Sequence, residues 1–170
     1  DARPVLPHCQ ITTPSMSRPF VDLTLRTNFF AHHLRYFWPQ PLPRPLGADR
    51  AARMDACRSA LDAGVTLAIH SDAPVTPLGP LFTAWAAVNR QTMTGKTLGP
   101  AQCITVPEAL EAITLGAART LHLDHDIGSV SVGKRADFAV LGQDPTTVDP
   151  TALRDIPVLG TVFGGHVHLL

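Results

Sequence analysis

Along Val65 to Pro74, VTLAIHSDAP, hydrophobic and polar positions alternate and then change character. Successive side chains of an extended strand point to opposite faces. Val65, Leu67 and Ile69 therefore share one face, and Thr66, Ala68, His70 and Asp72 the other. A strand buried on both sides is apolar on both sides, so an imidazole and a carboxylate at its carboxyl end ask for a reason. One reason is local, since Ser71 and Asp72 before Ala73-Pro74 are turn-forming residues. The other is chemical, and the rest of the pattern bears on which holds.

Upstream, Arg3 to Gln10 (RPVLPHCQ) reads as a short strand with His8 near its end, and Leu25 to Phe30 (LRTNFF) as a second strand. Thr12 to Leu23 carries a weak helical pattern that Pro19 interrupts. His32 and His33 follow the second strand, and if they continue it they face opposite ways, so only one can join a common site. A Pro-rich loop spans Pro39 to Pro45. Beyond it Asp49 is expected to cap a helix running to about Ala63, with Met54, Cys57 and Leu61 at helical spacing and Gly64 after its end. A helix over Leu81 to Met93 presents Leu81, Trp85 and Val88 as a packing stripe. Strands alternating with helices in this way predict a parallel sheet with right-handed crossovers.

Thr105-Val106-Pro107-Glu108 is a capping box that starts a helix with Leu110, Ile113, Ala117 and Leu121 on one face. Its end meets His122, Asp124, His125 and Asp126, which read as ordinary polar residues of a helix end and turn rather than as a metal cluster. Gly128 to Lys134 (GSVSVGK) falls short of a phosphate-binding loop, because Arg135 stands where a Ser or Thr must ligate magnesium. The alternation of Val130 and Val132, followed by Phe138, Val140 and Leu141, reads as strand, turn, strand. Pro157 to Leu170 adds one or two strands around Gly164-Gly165, with His166 and His168 facing solvent.

Composition narrows the function classes. The chain has 170 residues, 45% of them hydrophobic, and 14 Lys plus Arg against 14 Asp plus Glu. That suffices for a real core, and the neutral balance offers no field for nucleic acid or an anionic membrane. No apolar run is long enough for a membrane span and the first residues do not read as a secretory signal, so cytoplasm is the default expectation. Cys9, Cys57 and Cys103 match no zinc pair or disulfide framework. Cys9 stands beside His8 but points to the opposite face of a strand.

HSDAPVTPLGPLFTAWAAVNRQT (His70 to Thr92), ITVPEALEAITLGAART (Ile104 to Thr120) and GSVSVGKRADFAVLGQDP (Gly128 to Pro145) together resemble the C-terminal part of the amidohydrolase superfamily. More narrowly, they resemble the branch of N-substituted formamide deformylase and the YtcJ-like metal-dependent hydrolases. The resemblance covers nearly the whole chain. It is strongest at HSDAP and at GS-x-x-x-GK-x-AD, and weakest from Thr12 to Gly47, where Pro19 and the run Trp38-Pro39-Gln40 depart from the pattern.

This resemblance implies an α/β fold: strands six to eight of a (β/α)8 TIM barrel over residues 1–125, then C-terminal strands of a small flanking β domain over 126–170. Such a barrel carries its site at the carboxyl ends of the strands, with a divalent metal, usually zinc. Carried over, His8 is the metal-ligand histidine of strand six and Asp72 the metal-binding and acid-base aspartate of strand eight. His33, in the strand-seven motif, and His70 line the substrate pocket. The implied reaction is hydrolysis of a non-peptide C–N bond of a small-molecule amide. The family's remaining ligands, a His-x-His on strand one and residues on strands four and five, would lie upstream in the N-terminal half of the same enzyme. His166-x-His168 has the right letters in the wrong element. Two readings follow. In the first the chain is part of a metal-dependent amidohydrolase, inactive alone, with homo-oligomerisation open. In the second it is a non-catalytic or degenerate unit that serves structure or interaction only.

Overall fold

The computed structural model describes residues 3–37 and 46–170; the Pro39–Pro45 loop and Trp38-Pro39-Gln40 lie outside them. Three parallel strands, β1 (Val5–His8), β2 (Arg26–Phe30) and β3 (Leu67–His70), form one sheet in the order β1-β2-β3. The crossover from β1 to β2 is α1 (Pro14–Asp22), in which Pro19 is accommodated inside the helix. Between β2 and β3 come α2 (His33–Tyr36), α3 (Ala48–Ala52) and α4 (Cys57–Asp62). After β3, α5 (Pro80–Asn89), α6 (Val106–Ile113) and α7 (Leu115–Thr120) pack against the sheet. A second, antiparallel sheet follows: β4 (Phe138–Leu141), β5 (Val158–Phe163) and β6 (His166–Leu169).

The core lies between the parallel sheet and its helices. Phe29, Val65, Leu67 and Ile69 bring apolar side chains from the strands, and Ala84, Trp85, Ala109 and Ala112 close the helical side. Fully burying side chains of this size contributes on the order of 1.5–3 kcal/mol each for the larger ones. The connection between β4 and β5 also enters this core. Its 3₁₀ turn, Pro150–Asp155, buries Leu153, Ile156 packs beside it, and Trp85 Nε1 donates to the Thr151 carbonyl at 2.8 Å.

Several local expectations are corrected by the structure. The helix expected over 49–63 is two short helices, and Asp49 lies within the first turn of α3 while Gly47 occupies the cap without a side-chain bond. The break has a cause: the buried Arg90 guanidinium takes the carbonyls of Met54 and Asp55 at 2.7 and 2.9 Å, and Asp55 turns left-handed at φ 47°. The helix after the capping box breaks at Thr114, and its buried face is Val106, Ala109 and Ala112. Ile113, Ala117 and Leu121 instead line a groove shared with Val130, Phe138 and Ala139. Val130 and Val132 form no strand and are exposed. β3 ends at His70, so Asp72 lies beyond the strand. His32 and His33 have also left their strand, in a turn and at the start of α2, so strand alternation does not separate them.

Candidate active site

Because the three strands run parallel, their carboxyl ends meet at one edge of the sheet. Register pairs His8 with Phe29 and Phe30 with His70, one step further on, and the rings of His8, Phe30 and His70 meet there. The Phe30 ring is the hub, with centroids 5.7 Å from His8, 5.6 Å from His33 and 5.5 Å, stacked, from His70. His8 and His70 meet edge to face at 5.0 Å. The backbone turns left-handed at His8, Cys9 and Asp72, with φ of 64°, 43° and 56°. Non-glycine residues adopt that conformation at a cost of about 1–2 kcal/mol each, and such strain concentrates at functional sites. Here it returns Asp72 toward β1, placing Oδ2 3.8 Å from His8 Nε2.

The site also controls its protons. Burial lowers the pKa values of His70 and His33, and His8 nearby lowers both further, while Asp72 and the Asn28 backbone oppose the shift at His70. Both rings therefore stay neutral at neutral pH. Gln10 Nε2 lies 2.7 Å from His33 Nε2. With the amide donating, His33 carries its proton on Nδ1, a buried atom that meets no partner among the described residues. His70 Nε2 and Asn28 Oδ1 are likewise buried without partners among the described residues. Buried polar atoms without partners are costly, and the two on His33 and His70, whose rings flank Phe30, suit a polar ligand. Cys9 does not join this chemistry: burial raises its thiol pKa and the thiol lies 3.2 Å from the Leu6 carbonyl.

Comparison with known proteins gives this arrangement its family. The model of the amidohydrolase family matches residues 1–168. The chain belongs to the amidohydrolase family. N-substituted formamide deformylase of Arthrobacter pascens is 39% identical over 108 residues, which are 64% of this chain and 20% of that protein. The YtcJ amidohydrolase of Bacillus subtilis is 28% identical over 163 residues, 94% of this chain and 31% of its own length. A metal-dependent hydrolase of Pyrococcus horikoshii superposes with a TM-score of 0.74 at 25% identity, covering 86% of this chain and 30% of that one. An adenosine deaminase of Xanthomonas campestris solved with bound zinc shares the fold, with a TM-score of 0.69 at 19% identity, covering 98% and 37%. The chain thus spans less than a third of the length of these two curated relatives.

For an amidohydrolase, the donor set is partial. His8 and Asp72 face each other across 3.8 Å, too far to consume each other's lone pairs in a hydrogen bond and near the roughly 3.3 Å between two zinc ligands at a tetrahedral angle. Both side chains are partly open, at 42% and 36% exposure, so they remain accessible to an ion. Among the described residues no group of three or more His, Cys, Asp or Glu is arranged to hold a metal. The pair fits as two ligands of a larger set. A catalytic zinc takes three protein ligands and one open position.

Of the residues singled out by sequence, His8, His33, His70 and Asp72 all gather at this end of the sheet. His122 and His125 do not join them, and His166 and His168 lie exposed on β6. Sequence reasoning missed Phe30, Asn28, Gln10 and His32. The signal for two of them was present, because Asn28 and Phe30 share a strand face by parity. Gln10 lies in the loop after β1 and His32 in a turn, where no periodicity points to a partner.

Proposed function

We propose that this chain supplies strands six to eight of a (β/α)8 barrel, over 1–125, and the C-terminal strands of a flanking β domain, over 126–170. In that assembly it carries part of the active site of a metal-dependent hydrolase of non-peptide C–N bonds. The observation that carries this reading is the meeting of His8 and Asp72 beside nitrogens of His70 and His33 that have no partner among the described residues. His8 and Asp72 would hold a divalent metal, zinc by the chemistry of imidazole and carboxylate donors. When bound, such an ion supplies Lewis acidity, acidifying water and polarising a carbonyl.

The chain's own residues do the rest. Asp72, open to solvent, accepts a proton from the attacking water and returns it to the leaving nitrogen. His33, with its proton on Nδ1, lines the pocket and donates to the oxygen that gains charge, while His70, whose Nδ1 proton faces the Asn28 backbone, lines the same pocket and accepts from the substrate at Nε2. The small-molecule amide lies on Phe30. Ligands beyond His8 and Asp72 come from the N-terminal part of the same enzyme.

Asp72→Asn in the full-length protein tests the central role. Turnover of an amide substrate is expected to fall about 10²–10⁴-fold with folding intact; near-normal turnover would remove the acid-base role. Native mass spectrometry with metal analysis separates the second reading, a non-catalytic unit, which the two-donor set favours for the chain by itself. Zinc in the full-length protein but not in the 18.2 kDa chain supports the shared site; a full-length protein that binds no divalent metal supports the non-catalytic unit.

A further inference from the structure

His32 is fully buried and lies between three elements. Its Nδ1 is 2.7 Å from Thr76 Oγ1, in the loop that follows Asp72, and its Nε2 is 2.9 Å from Thr83 Oγ1 on α5. Phe82 stands edge to face at 4.7 Å on one side, with Tyr36 and Phe30 further out at 6.0 and 6.3 Å. Both threonine hydroxyls have a second acceptor, Thr76 at the Ser71 carbonyl and Thr83 at the Gly79 carbonyl.

A count of protons decides how these contacts divide. Carbonyls only accept, so if both hydroxyls served carbonyls, both ring nitrogens would have to donate and His32 would be an imidazolium. Burial first, and His70 second, push its pKa down to about 4, so the ring is neutral and one contact yields. The Gly79 carbonyl already accepts from the Thr83 backbone N–H at 2.8 Å, so the Thr83 hydroxyl is free to turn. The Ser71 carbonyl accepts no backbone hydrogen bond among the described residues and depends on Thr76.

We propose that His32 is a positioning residue for Asp72: its Nδ1–H donates to Thr76 Oγ1, Thr76 donates to the Ser71 carbonyl, and Thr83 donates to Nε2. The relay ties the β2–α2 junction to the loop that holds Asp72 left-handed. Adjacent histidines then divide the work, His33 facing the pocket and His32 holding the loop. The assignment of roles around Asp72 rests on the hydrolase reading; the relay does not.

Two-bond ¹H–¹⁵N correlation of the intact protein, labelled at histidine, reads the tautomer directly. His32, assigned by the signal lost in His32→Asn, is expected to carry its proton on Nδ1 with Nε2 bare. An Nε2–H tautomer, or an imidazolium at neutral pH, overturns the relay without any variant having to be active. Hydrogen exchange supplies the second reading. Thr76→Val should speed exchange of the 72–76 amides about tenfold or more while leaving α6 unchanged. His32→Asn, which keeps a donor near the Nδ1 position, should protect the loop better than His32→Leu. Equal protection in wild type, Thr76→Val and His32→Leu overturns the proposal. In the active enzyme Thr76→Val should lower kcat about ten- to a hundredfold at unchanged KM. Wild type without hydrolase activity, but with the Nδ1–H tautomer, would sink the hydrolase reading and leave the relay standing.

Discussion

Two buried ionisable side chains give opposite pH limbs. His32 has a folded pKa of about 4 against an ordinary 6.5, so the neutral ring is the one the fold prefers. Its contribution is whole above pH 6.5 and is lost as pH falls toward 4, a cost of about 3 kcal/mol at the lower end. His33 and His70, also lowered, add in the same direction. Thermal unfolding between pH 4 and 7 should therefore steepen in acid, and His32→Asn should flatten that limb. Asp55 behaves conversely. Burial pushes its carboxyl up to about 8, against the pull of Arg90, and neither oxygen has a hydrogen-bond partner among the described residues. The protonated acid is favoured in the fold, so stability is present at low pH and is lost as pH rises from near 4 through 8. Asp55→Asn is expected to raise Tm at pH 9 by a few degrees over wild type and to change little at pH 5; an equal effect at both would contradict the assignment. The chemistry-bearing residues were legible as residue types, since His8, His70 and Asp72 sit where strands end. The hydrogen-bond partners of His33 and His32 were not, because Gln10, Thr76 and Thr83 are distant from them in sequence and become neighbours only through the fold.

At the scale of elements, small residues set the distances between the sheet and its helices. A Cβ on Gly116 would lie 2.1 Å from the Leu67 carbonyl, backbone on β3, the strand that ends in His70. Gly116→Ala must push α7 off that strand or bend it, at about 1–3 kcal/mol. The expected result is a lower Tm by roughly 4 °C or more, together with shifted His70 ring resonances; an unchanged spectrum would mean that the helix moves freely. This contact also explains why one helix expected after Thr105 is two. The capping box was readable and is present, Thr105 accepting from the Glu108 amide and Glu108 from the Thr105 amide. Periodicity continued across Thr114, and only the third dimension shows that Gly116 must touch β3. The split of the helix after Gly47 has the same origin, because Arg90, on a later element, captures its carbonyls. The parallel strands themselves were legible, with ends shifted by a few residues.

For the whole molecule, the two sheets share one buried seam. Leu153 and Ile156, from the connection between two strands of the antiparallel sheet, lie in the core beneath the parallel one, and Arg154 stacks 4.2 Å over the Trp85 ring. Leu153→Ala should cost about 2–5 kcal/mol. Trp85 fluorescence and the far-ultraviolet signal of the sheets should then shift to lower denaturant together; two separated transitions would mean that the seam contributes little. No helix among the described residues is long and apolar enough to cross a membrane. The seam also limits how such a chain can be recombined. A chimera that takes its C-terminal sheet from a relative imports Pro150–Ile156 with it, and with that segment a piece of someone else's core. Exchange succeeds only where Trp85 finds the same neighbours, so the small sheet and the layer that carries the site are constrained to change as a pair.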